Sequence, residues 1–175
     1  CMTLWITSDL PAGNAKDRPM LADFDQDGQT EVFAGNDVFK FDFSNPANPQ
    51  LRRVLDGTGP LGYFMFTGNN VSTAADMVSP ADCNGDPDCN GLELVAGYVI
   101  YSVDLDLLDG DGYQIKAVKN LNTMQSTFIY QDGCTSVADV DLDGIPDVIV
   151  GAPRQGGGSA PTGMYIWNKN GLVRY

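Results

Sequence analysis

Histidine is missing from all 175 residues. With it go the Ser-His-Asp and Cys-His nucleophile systems, His-ligated zinc and histidine-based pH switching. Positive charge is scarce too: 10 Lys and Arg stand against 23 Asp and Glu, a formal net charge of −13. Nucleic acid is held by clustered basic side chains on its phosphates. Here basic residues gather no further than pairs such as Lys16 and Arg18 or Arg52 and Arg53, so nucleic acid is excluded as a partner and cations are favoured. No apolar run approaches the roughly 18 residues of a membrane-spanning helix, and no segment sustains an apolar helical stripe over three turns. What remains, with a hydrophobic share of 43%, is enough for one ordinary domain.

The start, Cys1 to Trp5, has neither the charged nor the apolar region of a signal peptide. It reads as a cut point in a longer chain, although a first-place cysteine is also where a lipid-anchored residue would stand. No CxxC occurs among Cys1, Cys83, Cys89 and Cys134. Cys83 and Cys89 bracket a turn-favouring stretch, 84–88, so a local disulfide is expected between them, and Cys1 with Cys134 is the pairing left over. An acidic chain with an even cysteine count fits an oxidising, extracellular or cell-surface setting.

Self-similarity is the strongest signal. Segments 21–35, 80–97 and 137–151 each carry an acidic loop, then an acid, three apolar residues and a glycine. Their first aspartates, Asp23, Asp82 and Asp139, lie 59 and 57 residues apart, close to the length of a large propeller blade. Between the loops, residues 31–34, 38–43, 98–103, 113–118 and 164–167 alternate with the period of strands. Asn36-Asp37, Asn45-Pro46, 109–112 and Asn170-Gly171 read as turns. The fold expected is all-β: propeller-like blades of antiparallel four-stranded sheets, about three repeats. The whole chain, 1–175, forms one repeat region, with a partial blade over 1–20, repeats over 21–79 and 80–136, and a partial repeat over 137–175. Since propellers close with 4 to 8 blades, it is expected to belong to a larger propeller or assembly, with a longer natural polypeptide favoured over completion by neighbouring chains. The glycine-rich stretch 154–163 lacks the Gly-Lys-Ser/Thr ending of a phosphate loop and reads as a connection between strands.

In the first loop Asp23, Asp25 and Asp27 alternate, Gly28 permits a sharp turn, and Glu31 returns a fourth carboxylate; Asp139, Asp141, Asp143, Gly144 and Asp147 repeat the spacing. Four carboxylates within nine residues repel one another unless a cation sits among them. Calcium takes 6 to 8 hard oxygen ligands, with a backbone carbonyl at the seventh loop position, here Gln29 and Ile145. An EF-hand needs a glutamate at position 12 and flanking helices, but Ala34 and Val150 stand there, inside apolar strands. The middle loop is three residues longer, from Asp82 to Glu93, and offers Asp82, Asn84, Asp86 and Glu93, with Asp88 as a substitute. Two to three calcium ions are expected. Three would bring the net charge from −13 to about −7, well within what a soluble domain tolerates.

With those residues in view, the repeat resembles the FG-GAP/VCBS family, whose blades carry D-x-D-x-D-G-x-x-D loops, an apolar strand and often Gly-Ala-Pro. The match is fullest from Asp139 to Pro153, where Gly151-Ala152-Pro153 supplies the last element; the first and second repeats have Gly35-Asn36 and Gly97-Tyr98 instead. The resemblance extends to repeats of large secreted or surface proteins of Bacteroidota-type bacteria. It implies integrin-α-like propeller blades with calcium at their edges, and it says little about molecular function, because such blades serve adhesion, ligand binding and, in some polysaccharide lyases, catalysis.

Two functions compete. One is a calcium-stabilised extracellular scaffold, adhesion or ligand-binding module, whose partner is a glycan, a protein or neighbouring subunits of the same protein. The other is a fragment of a propeller-type polysaccharide lyase or glycosidase. No catalytic set is recognisable: the loop acids are committed to metal, and Asp104, Asp106 and Lys116 fall at the spacing of exposed strand faces. Trp5, Tyr98, Tyr101, Tyr165 and Trp167 are expected to fill the space between blades more than to stack on sugars. Asn70-Val71-Ser72 is a glycosylation sequon of low specificity.

Overall fold

The computed structural model describes residues 18–47, 49–56, 71–77, 91–97, 99–103, 105, 117–120, 134–153, 162–168 and 171–174. They form twelve strands and, among the described residues, no helix. The first sheet holds β1 (Met20–Ala22), β2 (Glu31–Ala34), β3 (Asp37–Asp42) and β4 (Gln50–Asp56). The second holds β5 (Thr73–Ala75), β6 (Glu93–Ala96), β7 (Val99–Tyr101) and β8 (Ala117–Asn120), and the third β9 (Cys134–Ala138), β10 (Asp147–Pro153), β11 (Thr162–Asn168) and β12 (Gly171–Arg174). Each is an antiparallel meander in chain order. Three four-stranded antiparallel sheets in series confirm the all-β, blade-like reading.

Local chemistry explains the tight hairpins. Ala34 pairs with Asp37 and Ala96 with Val99, leaving two-residue connections that begin at Gly35 (φ 60°) and Gly97 (φ 58°). A positive φ at the first central position is the reason glycine stands there. The first turn is therefore Gly35-Asn36, one residue earlier than the Asn36-Asp37 expected from composition, because asparagine and aspartate mark a turn less strictly than the residue that must adopt φ > 0. Of the other expected turns, 109–112 lies outside the described residues.

The sheets share one core. Phe24, Phe33, Val38 and Val54 of the first, Leu94, Val95, Ala96, Val99, Ile100 and Tyr101 of the second, and Val148, Val150, Tyr165 and Trp167 of the third belong to a single buried cluster. β6 is buried along its whole length, as a central strand covered on both faces should be. A bulge recurs at one place in all three sheets, between Val38 and Phe39, Ile100 and Tyr101, and Ile166 and Trp167. The aromatic after it is buried each time. Tyr101, Tyr165 and Trp167 are thus core residues, as expected; Trp5 and Tyr98 lie outside the described residues.

Among the described residues, two seams join the sheets. The second and third meet at Thr135, which is 2% exposed. Its N–H donates to the Val71 carbonyl (2.8 Å), its carbonyl accepts from the Thr73 hydroxyl (2.8 Å), and its Oγ1 accepts from the Gly97 N–H (2.9 Å). A parallel bridge pairs Val71 with Cys134 beside it. The first and second meet where the Leu92 N–H donates to the Phe24 carbonyl at 2.7 Å.

Thr135→Val keeps the shape of this side chain and removes the acceptor facing the Gly97 N–H. Leaving that buried donor unmet costs about 1–3 kcal/mol, so urea unfolding of the variant is expected to show a lower midpoint with an unchanged slope. A midpoint equal to that of the parent would refute the assignment of Thr135 as the pin of this seam.

Candidate metal centres

The first acidic loop connects β1 to β2, and its carboxylates organise their own backbone. Asp23 accepts from the N–H groups of Asp27 (2.9 Å) and Gly28 (2.8 Å), Asp25 from Asp27 N–H (3.2 Å), and Asp27 from Gln29 N–H (2.7 Å) and the Gln29 side-chain amide (3.1 Å). The third loop, between β9 and β10, repeats each of the backbone bonds. Asp139 accepts from Asp143 N–H (3.1 Å) and Gly144 N–H (2.9 Å), Asp141 from Asp143 N–H (3.3 Å), and Asp143 from Ile145 N–H (2.8 Å). Backbone torsions match as well: φ is 59° at Gln26 and 62° at Leu142, then 89° at Gly28 and 85° at Gly144. A left-handed leucine costs about 1–2 kcal/mol, and Leu142 is 86% exposed, so no burial of its side chain offsets that cost.

Each loop brings three carboxylates together. Oxygens of Asp23, Asp25 and Asp27 lie within 4.8 Å of one another, and so do those of Asp139, Asp141 and Asp147. Two ligands of one calcium ion, each 2.3–2.6 Å from it, stand at most about 5 Å apart, so either trio fits around a single ion. Without one, such charges repel by about 1 kcal/mol per pair even at water-like screening. The hydrogen bonds above leave capacity on each carboxylate, which has about four acceptor sites. The oxygen-only donor set therefore suits a hard cation. Asp143 accepts from the Ile145 N–H outside the third trio, and Glu31 accepts from the Phe24 N–H outside the first.

An acid at the start of the second strand is buried in every blade: Glu31 at 2%, Glu93 at 0% and Asp147 at 2% exposure. Glu31 accepts from Phe24 N–H (3.0 Å), Glu93 from Met77 N–H (2.7 Å), and Asp147 from Val140 N–H (2.9 Å). Each of these acids pairs across the ladder with an alanine, Ala22, Ala75 or Ala138, and the donor stands two residues beyond that alanine. Asp76 is thereby the structural counterpart of Asp23 and Asp139, and it is exposed. Sequence spacing had pointed to Asp82 instead. The Ala-Asp dipeptide that precedes each loop occurs twice in this repeat, at Ala75-Asp76 and Ala81-Asp82, and that doubling was the available signal. Asp82, Asn84, Asp86 and Asp88 lie outside the described residues, as do Cys1, Cys83, Cys89, Asn70, Asp104, Asp106 and Lys116. Cys134 is exposed at the start of β9.

Burial pushes the Glu31 carboxyl above its ordinary value of 4.5; the Phe24 N–H pulls it partly back, and the charge of Asp25 raises it again. Glu31 therefore gives up its proton less readily in the folded, metal-free loop than in the unfolded chain.

Residues 135–164, which span β9, the third loop, β10 and the start of β11, match the family model of the FG-GAP repeat. No curated protein and no solved structure shows significant similarity to the chain. FG-GAP repeats are propeller blades, commonly bind calcium and occur in extracellular or surface proteins. No helix among the described residues is long and apolar enough to cross a membrane.

Gly28 and Gly144 have open space where a Cβ would sit, so alanine there meets no neighbour and pays only for its backbone conformation. Each substitution is expected to cost about 1 kcal/mol, read as a lowered unfolding midpoint in denaturant; no change would mean that the turn relaxes without glycine. For Glu31, stability from the raised carboxyl is fully present below the ordinary value and lost as pH rises through the raised one. In chelator, the melting temperature of the parent is therefore expected to fall relative to Glu31→Gln from acidic to neutral pH. A difference that stays constant across the pH series would overturn this.

Proposed function

We propose that this chain is a calcium-stabilised scaffold of propeller-type blades that presents loops to an extracellular partner, as an adhesion or ligand-binding module of a larger surface or secreted protein. The observation that carries the reading is the duplicated loop. Two segments more than a hundred residues apart in sequence share matching positive φ values and the same carboxylate-to-backbone hydrogen bonds, each gathers three carboxylates, and each stores left-handed strain at a non-glycine residue. Strain of this kind persists only where something over-determines it, and a cation among the oxygens does so.

The ligand sets proposed are Asp23, Asp25 and Asp27 with Gln29 and Glu31, and Asp139, Asp141, Asp143 and Asp147 with Ile145. A second-blade site draws on Asp82, Asn84, Asp86 and Glu93, with Asp76 standing where the other loops have their first aspartate. When bound, calcium supplies charge neutralisation and cross-linking of each loop to its sheet. The chain's own residues hold and orient it: the alternating carboxylates converge, and the buried acids anchor the strand that follows. An extracellular setting and a Cys83–Cys89 bridge bracing the longer loop belong to the same reading, as does the resemblance to VCBS repeats of Bacteroidota-type surface proteins. Glycans, proteins or further copies of the blade are the partner classes that such a scaffold serves.

Extracellular calcium modules bind at roughly 10⁻⁴ to 10⁻³ M. At ten times the dissociation constant each site adds about 1.4 kcal/mol, and two sites are expected to raise the melting temperature by about 5–10 °C over that in chelator. Identical melting in calcium and in EDTA would refute the proposal. Calorimetric stoichiometry sorts the middle loop: Asp76→Asn is expected to lose one ion if the structural position prevails, and Asp82→Asn if the sequence spacing does.

A further inference from the structure

The two matching loops differ in what stands behind them. Phe24 lies between Asp23 and Asp25, and both of its backbone groups are tied. Its N–H donates to Glu31 (3.0 Å), and its carbonyl accepts from Leu92 of the second blade (2.7 Å). Its ring is 1% exposed and meets Phe33 edge-on with centroids 5.6 Å apart. Gly91 closes the contact: a Cβ built there would lie 1.8 Å from the Phe24 carbonyl oxygen and 3.3 Å from the Asp25 Cα, so no side chain fits without movement of backbone. In the third loop Val140 takes the place of Phe24. Its N–H is held in the same way by Asp147, yet it is 42% exposed. Pro146 precedes Asp147 as Leu92 precedes Glu93, so at this place the third blade has no N–H to give to the loop of the second.

From this contact we propose that Gly91 and Leu92 are positioning residues for the first acidic loop: the second blade holds the peptide between Asp23 and Asp25 in its ligating form, and calcium in that loop closes the seam between the first two blades. The proposal rests on the calcium reading above and goes beyond it by making the first site depend on a neighbouring blade. Coupling of this kind is reciprocal, so the factor by which the seam strengthens calcium binding must equal the factor by which calcium strengthens the seam.

Amide spectra of the full chain during a calcium titration resolve the two sites, since the Gly28 N–H reports the first loop and the Gly144 N–H the third. Gly91→Ala is expected to weaken the affinity read at Gly28 roughly fivefold, the scale of one net hydrogen bond, and to leave that at Gly144 unchanged. Gly151→Ala, where a Cβ meets open space, serves as the control and is expected to change neither. The unsubstituted chain supplies a measurement that no folding defect can confuse: saturating calcium is expected to slow hydrogen exchange at the Leu92 amide by the same factor, and Asp25→Asn to abolish that protection. Equal affinities at Gly28 in the two glycine variants, or Leu92 exchange indifferent to calcium, would overturn the coupling while leaving the calcium sites standing. If neither Gly28 nor Gly144 responds to calcium, the sites themselves fall and the coupling with them.

Discussion

A carboxylate that leaves water must find donors or give up its charge, and this structure sets that demand at one place in each sheet. Glu31, Glu93 and Asp147 open the second strand of their blades in full burial and take an N–H from the chain that has just left the first strand. The bond ties the acidic loop to the ladder across one pair of residues, an alanine facing an acid. Because the backbone is held there, the aspartates that follow the alanine have little choice of direction. Loop and sheet are therefore a single unit, tied together by this bond and shaped within the loop by its own carboxylates.

That dependence explains what was legible in the amino-acid sequence. The first and third loops were legible because their spacing is uninterrupted: Asp23 to Glu31 and Asp139 to Asp147 have the same length, and the structure gives them the same torsions. Strand alternation around Val38, Ile100 and Trp167 was legible for the ordinary reason that half-buried strands alternate. Asp76 was not. Its place is defined by the pairing of Ala75 with Glu93 across an interval of 18 residues, and no local pattern measures an interval that a longer loop has stretched. The seams were invisible for a related reason. The roles of Thr135, Gly91 and Leu92 come from backbone groups of another blade, and a backbone N–H carries no residue identity.

The seams also differ in kind. Between the second and third blades the bonds run through Thr135, next to a parallel bridge, and do not involve an acidic loop. Between the first and second, the bond ends on the loop itself. A scaffold built this way has joints of unequal character, one fixed by a buried threonine and one resting on a surface where charge is concentrated. Sequence repetition produces similar blades without producing similar contacts between them, since a single residue such as Pro146 removes the donor on which one contact depends.

The recurring bulge has a consequence for solubility. An additional residue in one strand of a pair increases local twist and disturbs the even spacing of ladder groups. Here it falls between the third and fourth strands of every blade, so the regular ladder breaks at the fourth strand. A regular, flat rim would template the addition of strands from other molecules, the first step of cross-β assembly. The irregular rim offers a poorer template at each blade, while the buried aromatic at the irregularity fixes the third strand to the interior. The bulge thus makes the periphery a poor seed for fibrils, which matters for an architecture whose described elements are all strands.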